Sequence, residues 1–107
     1  MINASVAIQV LPDVLDDKET VRIVDEVIAY IESTGLKMFV SPFETTIEGD
    51  YDKLMEIVKN CQLIAVKAGA PGVKTYVKIF FNPNEGILTI NEKTDKYIDK
   101  NCEELNK

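Results

Sequence analysis

The chain contains no histidine. Its absence removes the commonest general base at neutral pH and the commonest transition-metal ligand. Its two cysteines, Cys61 and Cys102, lie far apart, so no Cys-x-x-Cys metal or redox motif exists. Cys61 falls on an apolar helix stripe and reads as a buried structural thiol, and nothing beyond arithmetic supports a disulfide to Cys102. No apolar run approaches the ~20 residues a membrane span needs. The opening Met1-Ile2-Asn3-Ala4-Ser5 carries neither a basic region nor a signal-type apolar stretch, so a soluble, unsecreted, cytoplasmic protein is expected. No Lys/Arg-rich cluster with interleaved aromatics is present, and a net charge of −6 with a pI near 4.6 repels polyanions. Neither nucleic acid nor a membrane is an expected partner. Asp13, Asp16, Asp17 and Glu19 lack EF-hand spacing and read as helix-start charge. Gly69-Ala70-Pro71-Gly72 follows a helix and lacks the Gly-Lys-Ser/Thr end of a phosphate loop. No metal or other cofactor is expected.

What is present is an ordinary globular composition. A chain of 107 residues, 46% hydrophobic, suits a single domain over residues 1–107. Residues 2–11 alternate strictly, with Ile2, Ala4, Val6, Ile8 and Val10 on one face and Asn3, Ser5, Ala7 and Gln9 on the other, which predicts a half-buried strand ended by Pro12. Asp16 and Glu19 have capping-box spacing before a helix from about Asp17 to Ser33. Val21, Val24, Ile28 and Ile31 define its apolar stripe, and Gly35 stops it. Residues 37–41 and 43–48 read as strands, with Pro42 between them suggesting a bend or bulge rather than a plain hairpin. Asp50 caps a helix from Tyr51 to Ala68 that buries Leu54, Ile57, Val58, Cys61, Ile64 and Ala65. Val73 to Phe81 alternates again as a fourth strand. Thr89 and Glu92 repeat the capping-box spacing before a polar C-terminal helix, with Tyr97 and Ile98 as its anchors.

The order βαββαβ with right-handed crossovers predicts a ferredoxin-like α+β sandwich: a four-stranded antiparallel sheet, two helices on one face, and a short C-terminal helix. The opposite face would then be open. It carries Ser5, Ala7, Gln9, Tyr76, Lys78 and Phe80, a mixture suited to packing on another subunit.

The densest chemistry lies in Thr45-Thr46-Ile47-Glu48-Gly49-Asp50, where a strand gives way to a helix. Two hydroxyls and a carboxylate there can hydrogen-bond a small polar ligand without a metal or a nucleophile. Together with Ser5-Val6-Ala7-Ile8-Gln9-Val10-Leu11-Pro12, the segment from Ser41 to Asp50, and Val73 to Ile79, the chain resembles the YkoF-like thiamine-binding family of small ferredoxin-like proteins. The resemblance implies binding of thiamine or its hydroxymethylpyrimidine portion, no catalysis, and sheet-to-sheet association into homodimers or homotetramers. It carries the Thr-x-Ile-Glu-Gly element onto Thr45, Ile47, Glu48 and Gly49, and a preceding polar position onto Ser41. The run Phe80-Phe81-Asn82-Pro83 departs from the Asp- and Arg-rich strand end common in relatives.

The candidate ligand-binding set is Ser41, Phe43, Thr45, Thr46, Glu48 and Ser5, with no catalytic residue. The plainer reading makes the threonines β-formers and Glu48 a surface acid before a turn. Phe43, Tyr76 and Phe80 can stack on a ring or pack an interface. Glu44 and Glu48, four apart on a strand, would stand about 13 Å apart along one face, unsuited to paired acid–base work. Three functions stay open: a carrier, buffer or sensor for thiamine or a related pyrimidine; a homo-oligomeric regulatory module that binds no thiamine; and a small enzyme of the dimeric ferredoxin-like kind.

Overall fold

The computed structural model describes residues 2–105, with side chains described as far as Ile98. The elements run β1 (Ala4–Pro12), α1 (Asp17–Ser33), β2 (Met38–Val40), β3 (Thr45–Gly49), α2 (Tyr51–Lys67), β4 (Val73–Phe81) and α3 (Ile90–Leu105). The sheet order is β2-β3-β1-β4 and every neighbouring pair is antiparallel. This is the ferredoxin-like α+β arrangement, with β1 and β3 inside and β2 and β4 at the edges.

Alternation in β1 decides the layer order. Ala4, Val6, Ile8 and Val10 all point into the core, where they meet Ile47 of β3 and the two helices. Asp16 caps α1 by accepting the Lys18 N–H at 2.9 Å. The reciprocal half of the capping box does not form, because the Glu19 carboxylate turns to Arg22 at 2.7 Å. Arg22 in turn donates to the Ala68 carbonyl at 2.8 Å and so ties α1 to the end of α2. Gly35 follows α1 with φ of 74°, a left-handed conformation that closes the helix at little cost only for glycine.

Several sequence expectations need correction. The buried stripe of α1 is Ile23, Val27 and Ile31; Val21 is exposed, while Val24 and Ile28 sit half-buried on the flank. The β2–β3 connection is a hairpin after all. Ser41 N–H donates to the Glu44 carbonyl at 2.9 Å, and the Ser41 hydroxyl both donates to that carbonyl and accepts the Glu44 N–H. Pro42 and Phe43 therefore occupy the tip of a tight turn, where proline costs no ladder bond.

The C-terminal helix also docks differently from expectation. Tyr97 and Ile98 are each about half exposed, and the anchor is instead Ile90, which is buried outside the helix-side core. The first turn of α3 covers one end of the supposedly open sheet face. Ser5 and Glu48, cross-strand partners there, are consequently buried. On the rest of that face Tyr76, Lys78 and Phe80 are exposed, while Ala7, Gln9 and Thr46 are half-buried. The question of a Cys61–Cys102 bridge falls on a side chain outside the described residues.

Candidate functional site

The nine-residue β1 is longer than its neighbour β3, which has five residues. Pairing runs from Ala4↔Gly49 to Ile8↔Thr45 and stops there. Beyond it the chain of β3 has already curled into the Ser41–Glu44 turn. Gln9, Val10 and Leu11 therefore have β4 on one side and no strand on the other. A cavity of about 200 Å³ opens at this gap, between the free flank of β1, helix α1 and the hairpin turn. At about 30 Å³ per water, it has room for one substituted six-membered ring.

The walls of the cavity are mostly apolar. Val24 and Ile28 of α1 line it with Val10, Pro42 and Phe43, and Thr45, Ser41, Thr20 and Gln9 supply polar atoms. Thr45 is 6% exposed, and its hydroxyl makes no hydrogen bond among the described residues. Phe43, at the turn tip, is 78% exposed and stands at the rim. The Ser41 hydroxyl is committed to the turn, at 2.7 Å from the Glu44 carbonyl oxygen. The Glu44 carboxylate pairs with Lys78 at 2.9 Å, on the other side of the sheet. An apolar slot with a few polar atoms is the usual form of a small-molecule site.

Strand alternation separates the other sequence candidates from this cavity. Thr46 and Glu48 point to the opposite face from Thr45 and Ile47. Thr46 and Ser5 line a second, shallower hollow on the far side with Lys78, Phe80 and Lys93 of α3. Glu48 is 5% exposed and accepts the Ile90 N–H at 2.7 Å. The structure thus brings together Ser41, Phe43 and Thr45, places Ser5 and Thr46 elsewhere, and engages Glu48 with a helix start. Val24, Ile28, Val10 and Gln9 escaped the sequence reading as cavity residues. The apolar positions of α1 left over once Ile23, Val27 and Ile31 fill the core were the available signal.

Other chemistry is sparse. Among the described residues, no group of three or more His, Cys, Asp or Glu side chains could hold a metal ion. Burial pushes the Cys61 thiol up to about 12, which keeps it protonated and poorly nucleophilic. Among the described residues no helix is long and apolar enough to cross a membrane.

A family model described as thiamine-binding protein matches residues 6–98. The UPF0045 protein CPE1503 of Clostridium perfringens is 46% identical over 97 residues, covering 91% of this chain and 99% of that one. A domain of unknown function, DUF77, from Bacillus cereus superposes with a TM-score of 0.79 at 35% identity, over 92% of each chain. A Thermotoga maritima protein provisionally assigned to thiamine biosynthesis or salvage gives 0.78 at 33% identity, over 89% of this chain and 98% of that one. The chain belongs to the thiamine-binding protein family.

Proposed function

We propose that the protein binds thiamine, through its aminopyrimidine ring, in the cavity between α1 and the free flank of β1. Binding is non-catalytic, and the protein serves as a cytoplasmic carrier, buffer or sensor. One observation carries the reading: an apolar slot sized for a single ring, holding the near-buried Thr45 hydroxyl and rimmed by Phe43, in a chain of the thiamine-binding family. Thr45 can donate to or accept from the ring's nitrogen substituents. Phe43 can cover the ring face, an arrangement aromatic pairs favour. Ser41 holds the turn that positions both. The hydroxymethylpyrimidine portion alone would satisfy the same contacts.

Self-association belongs to this proposal. Phe39, Tyr76 and Phe80 are exposed on the sheet face that α3 leaves uncovered. A second copy packed there would bury them and give a homodimer, or a homotetramer through further contacts. The same patch supports the alternative reading, a homo-oligomeric module that binds no thiamine.

Calorimetric titration with thiamine, hydroxymethylpyrimidine and an amino-acid panel separates the two. Saturable binding of the first two alone supports the carrier reading. No heat at millimolar thiamine, from a protein that still self-associates, leaves the interaction module.

A further inference from the structure

The gap beside β1 presents main-chain groups as well as side chains. In an antiparallel ladder the N–H and C=O of one residue point to the same flank, and successive residues alternate flanks. The bonds at the ends of β1 fix the parity. Asn82 N–H donates to the Asn3 carbonyl and Asp13 N–H donates to the Gly72 carbonyl, both at 2.9 Å. Odd-numbered residues of β1 therefore face β4. Even-numbered residues face β3, where Ala4, Val6 and Ile8 oppose Gly49, Ile47 and Thr45.

Val10 is the next residue in that series. Its partner by continuation of the register would be Phe43, but Phe43 lies in the hairpin turn and the pairing has ended. The N–H and C=O of Val10 have no backbone partner on this flank among the described residues, and Val10 lines the cavity while only 8% exposed. Pro12 obeys the same parity. It has no N–H to offer, and its nitrogen faces the flank where no strand asks for one.

We propose that the N–H and C=O of Val10 form a main-chain recognition edge for a ligand that carries a ring nitrogen beside an exocyclic amino group. The Val10 N–H donates to the ring nitrogen, and the Val10 carbonyl accepts from the amino group. This deepens the thiamine-site reading and rests on it for the ligand class. Unpaired N–H and C=O groups facing a mostly apolar slot gain most from a ligand that satisfies both at once. A strand-forming peptide is a poorer occupant, because beyond the last pair, Ile8↔Thr45, β1 offers an N–H on this flank only at Val10 before Pro12, which has none.

Amide-resolved NMR hydrogen exchange tests the proposal on the full chain. In the free protein the Val10 N–H should exchange at least about tenfold faster than the ladder-paired Ile8 N–H. Equal protection of the two would overturn the proposal. Saturating hydroxymethylpyrimidine should shift the Val10 amide and slow its exchange at least about tenfold, while the dimethylamino analogue, which has lost its donor, binds at least about tenfold more weakly. Binding that leaves Val10 exchange unchanged would sink this edge but spare the thiamine reading. If neither thiamine nor hydroxymethylpyrimidine binds, plain aminopyrimidine at millimolar concentration decides. A Val10 shift then upholds the edge while the thiamine reading falls; no shift removes both. Val10→Pro deletes the N–H without breaking a bond to β4 and should weaken hydroxymethylpyrimidine binding at least about tenfold; should that variant fail to fold, the exchange measurement stands alone.

Discussion

The carboxylate of Glu48 accepts the backbone N–H of Ile90 at 2.7 Å, fastening the first turn of α3 to the far face of the sheet. Thr89 and Glu92 complete the helix start by bonding each other's backbone N–H, each at 3.1 Å. Glu48→Ala should leave the Ile90 N–H without its buried acceptor, costing about 1–3 kcal/mol. Glu48→Gln keeps an acceptor oxygen and should cost less. Denaturant unfolding of both variants, with proteolysis of the 82–89 connection, checks this. Equal stability of wild type and Glu48→Ala would contradict it.

The corrected face of α1 predicts a contrast with α2. Ile57 is fully buried, and Ile57→Ala should destabilise the fold by about 2–5 kcal/mol. Val21→Ala, on an exposed position, should stay within about 0.5 kcal/mol of wild type. Chemical denaturation of the pair reads both values. A large loss at Val21 would restore the stripe expected from the sequence.

The exposed Phe80 lies on the sheet face proposed to meet a second copy. Phe80→Glu should dissociate the assembly, since an unpaired charge in a dry interface costs several kcal/mol, on the scale of a binding hot spot. Light scattering at micromolar concentration should give an oligomer for wild type and a monomer for the variant. Monomeric wild type would remove self-association from the proposal.

Cys61 supplies a pH dependence. Its thiol is raised from the ordinary 9.0 to about 12 by burial, so the unfolded chain loses this proton first as pH rises. The stabilising effect is full below pH 9.0 and is lost as pH climbs toward about 12. Native protein at pH 8 should react with thiol reagents at Cys61 only on the timescale of unfolding. Stability of wild type relative to Cys61→Ala should shrink over that alkaline range, and a flat difference would contradict the assignment.

Much of this architecture is legible in the sequence because its signals are local. Strict alternation in β1, Asp16 and Asp50 as caps, and the Thr89/Glu92 box need no tertiary knowledge. The face of α1 does not yield so readily. Val21, Val24, Ile28 and Ile31 make as regular a series as Ile23, Val27 and Ile31, and only packing chooses between them. The candidate site was half legible. Thr45, Thr46 and Glu48 are adjacent in sequence, yet the two-residue period of a strand divides them between faces. The gap beside Val10 was hidden because it arises from the mismatch between a nine-residue and a five-residue strand, a property of register rather than of composition.

Thr45→Val keeps the shape of the cavity and removes its near-buried hydroxyl. A ligand hydrogen bond is worth about 0.5–1.5 kcal/mol, so thiamine affinity should fall about threefold to tenfold without a change in melting temperature or oligomeric state. Unchanged affinity in a folded variant would move the ligand away from Thr45.

A crystal structure of the full chain with hydroxymethylpyrimidine tests the central claim most directly. The expected result is ring-shaped density between Ile28 and the free flank of β1, within hydrogen-bonding distance of Thr45 and with Phe43 at its edge. Density instead in the hollow beside Thr46, Lys78 and Lys93, or none at saturating ligand, would contradict it.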